Sequence, residues 1–144
     1  MSAYALASYG ETPRRSFREM CAAQGGDARV VDDYKLLPTA KKLVAVKAPA
    51  DAKGFVSEVD ALKCGHAIMA LGGGRAAVTD KIDHAVGLAD LIKIGAPVSP
   101  GSLLCTLHSN DDVKAARAET LIRDAIKFIP TPPKLESLIQ DLIQ

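Results

Sequence analysis

Residues 41–74, KKLVAVKAPADAKGFVSEVDALKCGHAIMALGGG, change their hydrophobic period once and end on three glycines. From Lys41 the period is two. Val44 and Val46 fall on one face and Leu43 and Ala45 on the other, the alternation of a half-buried strand. Asp51-Ala52-Lys53-Gly54 reads as a turn and Phe55–Val59 as a second strand. Asp60 then stands at the N-cap of a helix, ALKCGHAIMAL, whose Ala61, Cys64, Ile68 and Leu71 share one face. Gly65 inside that helix costs about 1 kcal/mol against alanine, so the sequence predicts a close crossing with another backbone there. Gly72-Gly73-Gly74 closes the helix.

Downstream, AVGLADLIKIG (85–95) reads as a strand, Gly95–Val98 as a bend, and Ser99-Pro100-Gly101 as a turn before the strand SLLCTLH (102–108). Asn110 or Asp111 caps a helix expected to run to about Phe128, with Ala118, Leu121, Ile122, Ala125 and Ile129 facing inward. Pro130, Pro132 and Pro133 break it. A tail with Leu135, Leu138, Ile139 and Leu142 in one stripe is expected to pack down as a further helix. Two segments, KAPADAKGFVSEV (47–59) and GAPVSPGSLLCTL (95–107), echo each other as strand-turn-strand units.

Upstream, Thr12 as cap and Pro13 at the first helical position open a helix bearing Phe17, Met20, Cys21 and Gln24 on one face, ended by Gly25-Gly26. SAYALASYGE (2–11) reads as the end of an apolar helix whose beginning lies outside this sequence. Asp27–Pro38 is a connector. Paired strands around tight turns with a helix crossing between them specify a mostly antiparallel α+β fold. The expected organisation is a helical remnant and linker over 1–38 and a domain over 39–144.

Charge and composition exclude several function classes. The 144 residues carry 18 Lys and Arg against 17 Asp and Glu, a net charge of +1, without the basic footprint of a nucleic-acid or anionic-membrane binder. There is no Trp, and three Phe and three Tyr leave little for stacking bases. Cys21, Cys64 and Cys105 are odd in number and widely spaced, which suits reduced thiols in a cytoplasmic protein better than a disulfide framework or zinc site. The N-terminus has no basic region of a signal peptide, and no apolar run reaches membrane-spanning length.

The local chemical motifs are weak. Gly72-Gly73-Gly74-Arg75 offers bare amides beside a cation, but the glycines close a helix where a phosphate loop needs them to open one. His66, His84 and His108 lie far apart, and Cys64 and His66, two apart on a helix, face different ways. No Gly-x-Ser-x-Gly elbow exists. Asp32-Asp33 and Asp111-Asp112 read as turn and cap residues. Lys81-Ile82-Asp83-His84 reads as a strand edge or an inter-domain contact.

At ALGGGRAAVTDKIDHAVGL (70–88) the sequence resembles the C-terminal region of thymidine phosphorylase and the bacterial pyrimidine-nucleoside phosphorylases. In those enzymes a Gly-Ala/Gly-Gly-Arg element precedes Asp-x-Ile-Asp and Val-Gly at this spacing. The matching residues are Gly72, Gly74, Arg75, Asp80, Ile82, Asp83, Val86 and Gly87. The resemblance extends over nearly the whole chain, including FREMCAAQGGDARVVDDYKLLP (17–38), which looks like the family's link from its α/β domain. It implies an α/β-hammerhead, an antiparallel sheet crossed by a helix, with flanking N- and C-terminal helices. It also implies reversible phosphorolysis of thymidine, deoxyuridine or uridine, with phosphate as co-substrate, no other cofactor, and a homodimer at full length.

The family's phosphate loop and its pyrimidine-holding residues have no counterpart here, and the resemblance places them upstream, in the catalytic domain that would be this chain's partner. No catalytic, substrate-binding or metal residue is therefore assigned, the eight motif residues are expected to be structural, and the chain alone is expected to be inactive. Two other readings are a stand-alone protein-interaction domain and a biotinyl- or lipoyl-like carrier. A carrier needs a lysine at a hairpin tip, whereas Lys63 falls on a helix.

Overall fold

The computed structural model describes residues 11–75 and 77–134. The helices expected before residue 11 and after Lys134 lie outside the described residues. The chain forms two compact units, residues 1–39 and 40–144.

In the first unit, α1 (Glu11–Ala23) holds Thr12 and Pro13 inside its first turn and stops where Gly26 N–H donates to the Cys21 carbonyl at 2.8 Å, with Gly25 at φ +76°. Met20, expected on the packed face, is 57% exposed. The connector contains two short 3-10 turns, Ala28–Val31 and Tyr34–Leu36, capped by the Asp27 and Asp33 carboxylates. Asp32, which reads in sequence as turn punctuation, accepts from Arg14 and Arg18 of α1 at 3.1 and 2.9 Å.

The second unit runs β1 (Lys42–Lys47), β2 (Gly54–Val59), α2 (Ala61–Leu71), β3 (Gly87–Ala89), β4 (Pro97–Val98), β5 (Leu103–Ser109), α3 (Asp112–Ala125) and β6 (Ile126–Ile129). The class is the expected α+β with antiparallel pairing. The single sheet is corrected to two, ordered β1-β5-β3 and β4-β2-β6.

The turn-linked strands do not pair with each other. β1 pairs β5, with Val44 opposite Leu107 and Val46 opposite Cys105, while β2 pairs β4 and β6. The backbone explains the exchange. Ala48 N–H donates to the Ser102 carbonyl at 2.8 Å and the Ala48 carbonyl accepts from Gly101 N–H at 3.1 Å. Reciprocally, Val56 N–H donates to the Ala96 carbonyl at 3.0 Å and the Val56 carbonyl accepts from Gly95 N–H at 2.8 Å. The two echoing segments thus clasp crosswise: the Ala96-Pro97 bend bonds to β2, and the Ala48-Pro49 bend bonds to the turn that leads into β5.

Helix boundaries follow the capping residues. Asp60 accepts from Lys63 N–H at 3.1 Å, and Asp111, not Asn110, caps α3 by accepting from Lys114 N–H at 2.9 Å. On α2 the buried face is Cys64, Ala67 and Leu71, whereas Ala61 is exposed. Among the described residues Gly65 sits at no backbone crossing, since a Cβ there would meet nothing within 4 Å. On α3, Ala115, Ala118, Ile122 and Ala125 are buried, and the small alanines let α3 approach α2 and the sheets.

The helix expected to reach Phe128 stops at Ala125. Ile126, Phe128 and Ile129 form β6 because β2 offers an open edge, and β-branched and aromatic side chains fit a half-buried strand. The 85–95 strand shrinks to Gly87–Ala89, ended by Asp90 at φ +54°. Val46, Val56, Leu71, Leu104, Leu107 and Ile122 anchor the core between sheets and helices.

Candidate functional site

The glycine-rich loop after α2 grows out of the helix cap. Gly72 adopts φ +99°, and its N–H donates back to the Ile68 and Met69 carbonyls. Gly73 N–H donates to the Ile68 carbonyl at 2.9 Å. These amides are engaged in ending the helix, so the phosphate-cradle alternative fails at both glycines. A Cβ on Gly73 would lie 2.8 Å from Ile68 Cγ2, which explains the missing side chain there.

Asp80 closes a turn in the loop, its carboxylate accepting from Ala77 N–H at 2.8 Å. Asp83 pins the loop's far end. Its N–H donates to the Gly72 carbonyl at 2.9 Å, Oδ1 accepts from Ala85 N–H at 3.0 Å, and Oδ2 accepts from Asn110 Nδ2 at 2.8 Å. Asn110 Oδ1 in turn accepts from Lys41 N–H at 2.8 Å, so one amide side chain ties the start of β1 to the loop. Val86 packs on the core and Gly87 opens β3 opposite His108. Ile82 is half-buried, while Arg75 and Lys81 are exposed.

A groove of about 540 Å³ runs between α2 and α3, lined by His66, Met69, Ala70, Arg117, Thr120 and Leu121. It adjoins a hollow of about 320 Å³ where Lys81, Lys114 and Arg117 meet Gly72, Gly74 and Asp80. No sequence signal singles out Lys114 and Arg117, which join Lys81 only through tertiary packing. His84 and His108 do not line either space, and no cluster of three metal-ligating side chains occurs among the described residues. No helix among those residues is long and apolar enough to cross a membrane.

Burial pushes the Cys105 thiol up to about 11 and raises Cys64 as well, so both stay protonated and unreactive at neutral pH. Asp83 is held below the usual carboxylate range, first by the Asn110 amide, then by Ala85 N–H and the nearby charges of Lys114 and His84. Asp111 is held low mainly by Lys114 N–H. A carboxylate with a depressed folded-state pKa contributes stability that is present above its unfolded pKa, about 3.9, and lost as pH falls through the folded value. Stability should therefore be flat near neutrality and decline below about pH 4. Asn110→Ala should move the Asp83 carboxyl titration up toward 3.8, its ordinary value, and shift the acid-unfolding midpoint to higher pH. Carbon-detected NMR titration checks both, and an unmoved Asp83 would break the assigned link.

The profile of the pyrimidine nucleoside phosphorylase C-terminal domain matches residues 55–129, from β2 through β6 and the whole glycine loop. The chain belongs to this family. A pyrimidine-nucleoside phosphorylase from Geobacillus stearothermophilus is 43% identical over 133 residues, covering 90% of this chain and 29% of the relative. The chain thus spans less than a third of the length of that curated relative. Seven of the eight motif residues now have places in this domain: Gly72 caps α2, Asp80 and Asp83 shape and pin the loop, Ile82 is half-buried, Val86 packs on the core, Gly87 opens β3, and Gly74 lines the hollow. Arg75 projects from the loop.

Proposed function

We propose that this chain serves as the C-terminal structural domain of an enzyme that reversibly phosphorolyses thymidine, deoxyuridine or uridine to the free base and (2-deoxy)ribose 1-phosphate. Phosphate is the co-substrate, the partner is the catalytic part of the same enzyme, and the full-length protein is a cytoplasmic homodimer. The observation that carries this reading is the 43% identity confined to 29% of a pyrimidine-nucleoside phosphorylase.

Phosphate attack on the anomeric carbon needs donors aimed at an oxyanion and groups that stabilise the departing base. In this domain the Gly72 and Gly73 amides are engaged in a helix cap, and the buried Cys64 and Cys105 are held as thiols. The role left to the domain is to present the pinned loop and the α2–α3 groove to the catalytic part. The carrier reading is not favoured: Lys63 lies on α2 and donates Nζ to the Asp124 carbonyl at 3.2 Å.

The purified 144-residue chain, given thymidine or uridine with phosphate, is expected to show no phosphate-dependent change in base absorbance. Phosphate-dependent turnover above blank would overturn the assignment and direct mutagenesis to Arg75, Lys81 and His84.

A further inference from the structure

Helix α2 carries large apolar side chains on the side away from its core face as well, with Gly65 and the exposed His66 between them. Cys64, Ala67 and Leu71 face the core, while Leu62, Gly65, His66 and Met69, at i, i+3, i+4 and i+7, form a stripe facing out. Leu62 is 69% exposed and Met69 42%. Two large apolar side chains exposed along one helix face mark a surface that another element covers. Gly65 sharpens the point. It disfavours the helix, yet the space where its side chain would stand is open to 4 Å and no packing among the described residues uses it. A gap in the middle of an outward apolar stripe lets a second backbone come close.

Beside the stripe, the hollow gathers Lys81, Lys114 and Arg117 near Asp80, with Asp83 close enough to feel the Lys114 charge. Neither Lys114 nor Arg117 forms an ion pair among the described residues. A partner with carboxylates along its edge would complement them. More than two thirds of the Geobacillus relative lies outside the match, which is ample chain to supply such a surface.

We propose that the outward face of α2 is where the remainder of the phosphorylase docks, through a helix whose apolar face packs over Gly65 and whose acidic edge meets Arg117, Lys114 and Lys81. This rests on the function proposed above and names the surface through which that function is exerted.

The test exchanges the matching segment of the Geobacillus enzyme for this chain and compares the chimera with the isolated chain. In the isolated chain, Gly65→Ala is expected to raise Tm by about 4 °C through helix propensity, and Leu62→Lys and Met69→Lys to leave it within about 2 °C. In the chimera, Leu62→Lys and Met69→Lys are each expected to lower Tm by about 5 °C or more, to open the domain junction to protease, and to reduce phosphorolysis. Gly65→Ala is expected to lose its gain there.

An unsubstituted chimera that works while all three variants behave as they do in the isolated chain overturns the docking surface and leaves the proposed function standing. A chimera that assembles no active enzyme overturns the proposed function and the docking surface with it. Destabilisation that depends on protein concentration in the isolated chain shows a second copy on this face and also overturns the proposal.

Discussion

Gly54→Ala is expected to destabilise the domain by about 4 kcal/mol, enough to lower Tm by about 15 °C or prevent folding outright. Gly54 opens β2 at φ +102°, outside the conformations an L side chain adopts readily. A Cβ there would be driven into the Ile129 carbonyl oxygen and would lie 2.9 Å from the Ile129 carbonyl carbon and 3.0 Å from Pro130 Cα. All three atoms are backbone, so no rotamer change relieves the overlap. β2 or β6 must move, and β2 also pairs β4 through Gly54 and Val98. Against a typical total stability of about 5–15 kcal/mol, this is a large loss. Urea unfolding of the substituted chain measures it, and a loss under about 1 kcal/mol would refute the close packing of β2 against β6.

Ile122→Ala should cost about 3.5 kcal/mol, and Ile122→Val about 1 kcal/mol. Ile122 is fully buried on α3, in the same core cluster as Leu71 of α2 and Leu104 and Leu107 of β5. Its neighbours on that face, Ala118 and Ala125, are already small and cannot grow into the void. The cavity therefore persists, and the loss combines a transfer penalty with missing dispersion contacts. Denaturant titration should show a lower midpoint with an unchanged slope, since the unfolding area is nearly the same. A near-neutral Ile122→Ala would mean that α3 repacks and that the core is less tightly filled than the structure shows.

The candidate site was only partly legible beforehand. The Gly72–Gly87 motif stands out in the sequence through its resemblance to the phosphorylase family, and Asp83 is among its residues. The partner that holds Asp83, Asn110, reads in the sequence only as a possible helix cap, because its bonds to Asp83 and Lys41 appear only when β1, β5 and the loop come together. Gly65 reads as a crossing glycine because an interior helix glycine usually has a packing reason, yet the described residues leave its surface open. The cationic hollow is invisible in a chain of net charge +1, since Lys81, Lys114 and Arg117 cluster only in space.

What the sequence determined by itself is what short-range physics encodes. The cap at Asp60 marks where α2 begins and Gly72 where it ends, Asn110 and Asp111 bracket the start of α3, the period of two marks β1, and the Ser99-Pro100-Gly101 turn announces β5. Residues 70–88 also carried the family. The tertiary structure decided which strand pairs with which, where α3 gives way to β6, and which polar side chain pins the loop. Each of these depends on contacts between residues far apart along the chain, such as Ala48 with Ser102, Val59 with Ile126 and Lys41 with Asn110. Local periodicity cannot express them, because a strand edge or an amide accepts whichever complementary backbone the folded core brings within hydrogen-bonding reach.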